Sequence, residues 1–229
     1  MNKISRRRLL TLGAGLGAGI LALKLLEEAL YPYLPTLPSM PTPIPRQQWG
    51  ARRPDHTAPN EYGFASRATD PAWYVYPGKL ADVYNTVVIH HSAIALDTNE
   101  TMRSVQDLHM NVNRWADIGY HYGIDRDGVI YAGRDIRVRG ASVAGHNTGV
   151  IGMVVMGNFE VDIPLDAQLV ALQTLVNWLA ATYSLTHLAA HSEFNPETVC
   201  PGKNLAVYLD RLARGAGLER GTGGYVAPP

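Results

Sequence analysis

This sequence has almost no cysteine and no excess of charge of either sign. Cys200 is the one cysteine among 229 residues, so no disulfide can form within the chain and the fold cannot depend on one. Lys and Arg together number 20, as do Asp and Glu. Five basic and two acidic residues precede residue 45, which leaves the remainder with a net charge of about −3 with histidine neutral. That balance excludes the basic surface expected of a nucleic-acid-binding domain.

The first 30 residues resemble an export signal. Residues 5–8, Ser-Arg-Arg-Arg, precede an apolar run over 9–26 that is interrupted only at Lys24. Paired arginines before a Gly/Ala-rich apolar stretch resemble a bacterial twin-arginine signal, which predicts export to the cell envelope, periplasmic or extracellular. No clean small-x-small cleavage site follows, and the run is shorter than the ~20 residues that span a bilayer. Signal and membrane anchor therefore both stay open, whereas a surface amphipathic helix would need a polar face that the run lacks.

A proline-rich segment then separates this signal from the expected folded domain. Six prolines between residues 31 and 46 predict a stiff, extended linker that cannot build a core. We expect one domain over 47–217, because the remaining length suits a single core, and a flexible tail over 218–229. The expected state is a monomer.

Apolar periodicity predicts alternating strands and helices within that domain. Expected strands cover 85–92, 150–159 and 187–190, and a hairpin with a turn at Asp127-Gly128 covers 119–132. Helices are expected over 97–115 with Asp97 as N-cap, over 166–183 with Asp166 as N-cap, and over 204–214. The fold class is therefore mixed α/β: a single domain whose central mixed sheet of about five to six strands is flanked by about three helices.

A loop near the C-terminus contains the residue types that zinc prefers. His191 and Cys200 lie nine positions apart in one irregular segment. Thiolate and imidazole are zinc ligands, and a third ligand from elsewhere would leave one position open for water, as in catalytic sites. The alternative is a buried free cysteine beside a surface histidine, which is the commoner situation for an arbitrary pair.

The expected strand over 85–92 offers a third ligand at its end. Alternation places Val88, His90 and Ser92 on one face and His91 on the other, so only one of the two histidines can point to a shared metal. In the hairpin, the same alternation places Tyr120 and Tyr122 on one face and His121 on the other.

Three stretches have a more specific look: Trp-Gly-Ala-Arg at 49–52, Val-Ile-His-His at 88–91, and VQDLHMNVNRWADIGYHYGI at 105–124. They resemble the superfamily of zinc amidases that includes phage lysozyme amidase and the peptidoglycan recognition proteins. Matching segments occur in the same order from 47 to 210, which is most of the expected domain.

The resemblance implies a Zn²⁺ site in a cleft at the sheet edge. Its ligands would be His90, His191 and Cys200, with His90 chosen over His91 because the family uses the first histidine of such a strand end. The resemblance also implies that Tyr120 projects into the zinc cleft, and that Thr198 stands where relatives carry Lys or Thr at a position implicated in catalysis.

Further residues are expected to line the cleft and contact the substrate: His91, His146 and Asn147. His91 could equally be a solvent residue. Ser142 aligns with a histidine that phage-type members carry, and this departure leaves the substrate contacts open.

The implied activity is hydrolysis of the amide between N-acetylmuramic acid and L-alanine in peptidoglycan or muropeptides. Two alternatives stay open. A non-catalytic peptidoglycan-binding module would typically lack the cysteine ligand, and a purely structural zinc site would need a fourth protein ligand, for which the sequence offers no obvious candidate.

Overall fold

The computed structural model describes residues 39–58 and 73–225. The expected export segment over 1–30 and the last four residues lie outside these ranges. Within them, no helix is long and apolar enough to cross a membrane.

A six-stranded mixed sheet forms the centre of the fold, as predicted. In spatial order the strands are β3-β2-β4-β1-β5-β6, and every neighbouring pair is parallel except β2 with β3. Their bounds are Thr86–His91 (β1), Tyr122–Ile124 (β2), Ile130–Ala132 (β3), Val150–Val155 (β4), His187–Ala190 (β5) and Glu219–Arg220 (β6).

Strands β1 and β4 are buried along their whole length, which explains their nearly continuous apolar sequences. The register pairs His90 of β1 with Val154 of β4, and Ile89 with both Met153 of β4 and Ala190 of β5. His90 therefore lies near the carboxyl end of a central strand. In a parallel sheet this is the end at which ligands bind, because loops there surround an open crevice.

The first helix starts later than predicted. It covers Met102–Asp107 (α1) and continues as a π-helical turn over Leu108–Val112. Asp97 is not its N-cap: the Thr101 hydroxyl accepts from the Ser104 N–H, and the Ser104 hydroxyl accepts from the Thr101 N–H. This reciprocal pair satisfies the first amides, so the residues before Thr101 remain a loop.

The second helix, α2, covers Asp166–Tyr183 as predicted, but its N-cap is Leu165 and not Asp166. The Gln168 side chain accepts from the Leu165 N–H at 3.1 Å, which replaces the cap that Asp166 was expected to supply. The buried face of α2 packs on the sheet through Leu172, Leu175, Val176 and Leu179.

The expected third helix over 204–214 is two short helices. They cover Lys203–Ala206 and Leu209–Gly215, and they are called α4 and α5 because a one-turn helix, α3, precedes them at His191–Phe194. The break lets Leu205, Leu209 and Leu212 all reach the core.

The folded unit extends beyond 47–217 at both ends. Ile44, which the sequence places in the linker, pairs with β3. The Ile44 N–H donates to the Ile130 carbonyl at 2.8 Å, and the Ile44 carbonyl accepts from the Ala132 N–H at 3.0 Å. Glu219–Arg220, placed in the flexible tail, forms strand β6 beside β5. Neither pairing has a local signal, because each depends on a partner far away in the sequence.

A buried histidine makes the stability of this fold depend on pH. His121 is almost fully buried, Nδ1 accepts from the Gly152 N–H at 3.1 Å, and Nε2 donates to the Val138 carbonyl at 2.9 Å, so the ring is neutral. Burial lowers the pKa of His121 from 6.5 to about 4. Since the folded pKa lies below the unfolded one, the stability that this ring contributes is present above pH 6.5 and lost as the pH falls towards 4.

We expect His121 to account for about 3 kcal/mol of the fall in unfolding free energy between pH 8 and pH 4, at about 1.4 kcal/mol per pKa unit. Urea unfolding of the wild type and His121→Asn, with a chelator present to exclude metal release, measures this. Asparagine does not titrate, so the stability gap between the two chains should narrow as the pH falls. A gap that stays constant would assign the acid sensitivity to other groups.

Candidate active site

The candidate site is assembled from two parts of the chain about 100 residues apart. His90 comes from β1, and its side chain is 1% exposed. Its Nδ1 lies 3.6 Å from the Cys200 sulfur, and its ring centroid lies 4.6 Å from that of His191. The ligand atoms of the three residues all lie within 4.8 Å of one another. The structure therefore brings together the three predicted ligands.

The loop from His191 to Gly202 is closed by its own backbone. The Ser192 N–H donates to the Cys200 carbonyl at 2.9 Å, which brings the two ends of the loop beside each other. Gly202 ends the loop with φ +88°, and a Cβ there would overlap the backbone of Phe159. Glycine is therefore needed where the chain turns away towards α4.

Three features of this cluster fit a zinc ion. Two ligands on a tetrahedral zinc, with Zn–N about 2.0 Å and Zn–S about 2.3 Å, lie about 3.6 Å apart, as do His90 Nδ1 and Cys200 Sγ. Burial holds the pKa of His90 well below its usual value, so the ring is neutral and its lone pair is free to bind. Among the described residues, three belong to the cluster, so the fourth coordination position of a tetrahedral zinc ion would be open.

The thiol is the part of the donor set that a cation would change most. Burial raises the pKa of Cys200 to about 12, although the His91 N–H, 3.4 Å from the sulfur, lowers it. A bound divalent cation would lower the pKa of Cys200 again, because its positive charge stabilises the thiolate. The His91 amide is already oriented towards that thiolate.

Tyr120 lies against His90, one of the three predicted ligands. Its ring centroid is 5.0 Å from that of His90 and 5.2 Å from that of His109. The hydroxyl makes no hydrogen bond within the described residues. Burial, and secondarily the Cys200 and Glu100 side chains, raise the pKa of Tyr120 far above 10. The hydroxyl therefore keeps its proton and can act only as a neutral donor or acceptor.

Tyr120 and Tyr122 do not share a face, contrary to the alternation expected from sequence. Strand β2 begins only at Tyr122, which packs in the core that includes Ile89 and Met153. Tyr120 precedes the strand and turns to the opposite side, where His90 lies.

Thr198 lies in the same loop as His191 and Cys200 and is half-buried. Its hydroxyl oxygen accepts from the Cys200 N–H at 3.2 Å, so its proton remains available for donation. This bond holds the hydroxyl beside Cys200, one of the three predicted ligands.

The three predicted substrate contacts are placed less favourably. His91 is buried and its Nδ1 accepts from the Phe159 N–H at 3.2 Å, so the ring supports the backbone of a neighbouring loop. Asn147 is buried, and its Oδ1 accepts from the Ser142 and Val143 amides, which closes the loop between them. His146 is half-buried and contacts the rings of Phe194 and Tyr225. Of the three, His146 is the one whose ring reaches the region around α3.

A protein-family model described as N-acetylmuramoyl-L-alanine amidase matches residues 80–203, which is more than half of the chain. The chain belongs to this amidase family.

Relatives and solved structures agree with the assignment. Peptidoglycan-recognition protein LB of Drosophila melanogaster is 31% identical over 174 residues, covering 71% of this chain and 65% of that protein. The endolysin of Escherichia phage T7 is 32% identical over 132 residues, covering 56% of this chain and 86% of the endolysin. Among solved structures, amidase LysC from Clostridium intestinale URNW has a TM-score of 0.54 at 28% identity, covering 64% of this chain and 93% of that one. Wild-type Drosophila PGRP-LB has a TM-score of 0.59 at 27% identity, covering 78% and 96%.

The sequence assigns no catalytic role to His109, yet its ring lies beside that of Tyr120 in the candidate site. Its Nδ1 accepts from the Gly119 N–H at 3.0 Å, which fixes the backbone next to Tyr120. Burial lowers the pKa of His109 to about 3, so the ring is neutral. The Gln-x-x-His-Met stretch at 106–110 was the available signal, but a histidine on a helix gives no sign of which distant loop it will contact.

Proposed function

We propose that this chain is a zinc-dependent N-acetylmuramoyl-L-alanine amidase that hydrolyses the amide between the lactyl group of N-acetylmuramic acid and L-alanine. The observation that carries the proposal is the convergence of His90, His191 and Cys200 with a free tyrosine hydroxyl beside them. Family membership supports the coarser part, an amidase of peptidoglycan. The zinc dependence and the residue roles go beyond family membership, and they are proposed from the arrangement of these side chains.

The three ligands would hold one zinc ion with an overall formal charge of +1, because two imidazoles are neutral and one thiolate is negative. Zinc bound in such a site supplies a nucleophilic hydroxide at neutral pH and polarises the scissile carbonyl. The His91 N–H stabilises the thiolate by donating to its sulfur. His191 and Thr198 are half-buried, so a substrate would reach the cluster through these two residues and not through the buried His90.

Tyr120 and Thr198 supply the hydrogen bonds that the reaction needs. As the amide carbon becomes tetrahedral, its oxygen gains negative charge, and donors already aimed at that position stabilise the transition state. The Tyr120 hydroxyl is a permanent donor because its pKa is far above neutrality. Thr198 is held by its bond to the Cys200 N–H, so its proton can point to the same side as the metal ligands.

We place the activity in the cell envelope, on intact peptidoglycan or on muropeptides released from it. The twin-arginine-like start of the chain supports export. A net charge of about −3 over the remainder agrees with a ligand other than nucleic acid. The alternative is a module that binds peptidoglycan without cleaving it, and the experiment must distinguish this from an amidase.

Purified protein is expected to bind about one zinc per chain and to release stem peptides from purified sacculi. Mass spectrometry of the products should show free L-alanine amino termini on the peptides and intact lactyl groups on the glycan. Protein incubated with a chelator, and the same protein with zinc restored, are the controls. Bound zinc without peptide release would support the binding module, and cleavage at another bond would contradict the proposed reaction.

A further inference from the structure

Helix α3 carries His191 but is too short to hold itself in place. It has four residues, His191–Phe194, and an isolated single turn is unstable in water because nucleation costs more than one hydrogen bond returns. The direction of the His191 side chain therefore depends on contacts made by the rest of the fold.

One end of α3 is held by an arginine from the last strand. The Glu193 carboxylate accepts from the Ala190 N–H at 2.6 Å, and the same oxygen accepts from Arg220 Nη1 at 2.6 Å. Arg220 also donates to the Leu188 carbonyl at 2.8 Å and, through Nε, to Asp210 at 3.0 Å. One guanidinium thus joins β5, α3 and α5.

The other end of α3 is covered by the same part of the chain. The ring of Tyr225 lies 5.5 Å from that of Phe194, the last residue of α3, and 5.1 Å from that of His146. Residues 219–225, here called the C-terminal segment, therefore contact α3 at both ends. They lie beyond the residues 80–203 that the family model matches.

We propose that Arg220, acting through Glu193, is a positioning residue that fixes His191 for metal binding. The inference rests on the proposed function, since it assumes that His191 is a zinc ligand. The ion pair is partly exposed, 25% for Arg220 and 35% for Glu193, so its own contribution to stability is small. Its effect comes from geometry: the shared oxygen fixes the amide of Ala190, the residue directly before the ligand.

The test measures zinc affinity by competition with a chromophoric chelator. We expect Arg220→Gln and Glu193→Ala each to weaken binding about tenfold, the lower end of the 10–100-fold typical for residues that orient a metal ligand. The double variant should be little weaker than either single one, because both remove the same contact. Arg220→Lys, which keeps the charge, should recover part of the affinity.

Glu219→Gln is the matched control. Glu219 is the neighbour of Arg220 on β6, is 84% exposed, and lies 3.4 Å from His187 without contacting α3. It should leave zinc affinity unchanged, and the melting temperatures of all variants measured with chelator should stay close together.

The outcomes separate the two proposals. A wild-type protein that binds no zinc would overturn the proposed function and this inference with it. A wild type that binds zinc, together with an Arg220→Gln variant that binds it equally tightly, would overturn the inference alone. Equal weakening in Glu219→Gln would also overturn it, because the effect would then belong to strand β6 in general.

Discussion

Cys200→Ser is expected to abolish zinc binding and amide hydrolysis together. A serine hydroxyl does not ionise at neutral pH and is a poor zinc ligand, whereas the cysteine thiolate is the one anionic donor of the proposed site. Without the metal, neither the hydroxide nor the polarised carbonyl is available, so we expect activity on sacculi to fall at least about a thousandfold.

The fold should survive this change. Serine is close in size to cysteine, and its oxygen can still accept the His91 N–H. Circular dichroism and the melting temperature in chelator should therefore match those of the wild type. Val199→Ala is the matched control, because Val199 is the 63%-exposed neighbour of Cys200 and makes no contact assigned to the metal. Full activity of Cys200→Ser with no bound metal would refute a zinc mechanism.

Tyr120→Phe is expected to separate catalysis from metal binding. The substitution removes one hydroxyl and keeps the ring that packs against His90. Loss of a single donor to a developing oxyanion typically costs 10²–10³-fold in kcat. We expect a fall of that size, with KM changed little and zinc content unchanged at one per chain.

Tyr122→Phe controls for the loss of a tyrosine hydroxyl in the same part of the chain. Tyr122 packs in the main core on the other side of the sheet, so its hydroxyl is remote from the ligands and kcat should stay near the wild-type value. If Tyr120→Phe kept full kcat, the oxyanion would have to be stabilised by the metal and Thr198 alone. If it lost zinc as well, Tyr120 would be a packing residue for His90.

Local pattern was sufficient for the elements that lie mid-sheet. The β-branched run of β1 and the apolar run of β4 predict buried strands, because side chains on both faces of a parallel sheet must be apolar. Alternation within β1 also predicts that His90 and His91 point to opposite faces. The structure agrees: His90 lies against His191, while the His91 ring lies against Phe159.

Residue type alone gives the wrong N-cap for both helices, because the cap also depends on the side chain three positions further along. Asp97 and Asp166 are good N-cap types, yet the first helix is capped by Thr101 with Ser104, four residues later than expected. The N-cap of the second helix is Leu165, one residue earlier than expected, and its N–H donates to the Gln168 side chain. Alternation predicts that Tyr120 and Tyr122 share a face only if the strand includes both residues, and the strand begins at Tyr122. Alternation describes directions only inside a strand, so an error in its start moves a side chain to the other face.

By itself, the sequence determined the chemistry available to this protein: two imidazoles and one thiolate in segments that resemble a zinc amidase, on a chain that belongs to that family. It also determined the order of strands and helices, since periodicity is a local property. The tertiary structure alone decided the distances, because His90 and Cys200 are 110 residues apart and meet only when β1 and the loop after β5 reach the same end of the sheet. It likewise decided that a residue expected in a flexible tail, Arg220, contacts the helix of a predicted ligand, because ion pairs between distant segments leave no periodic signal in a sequence.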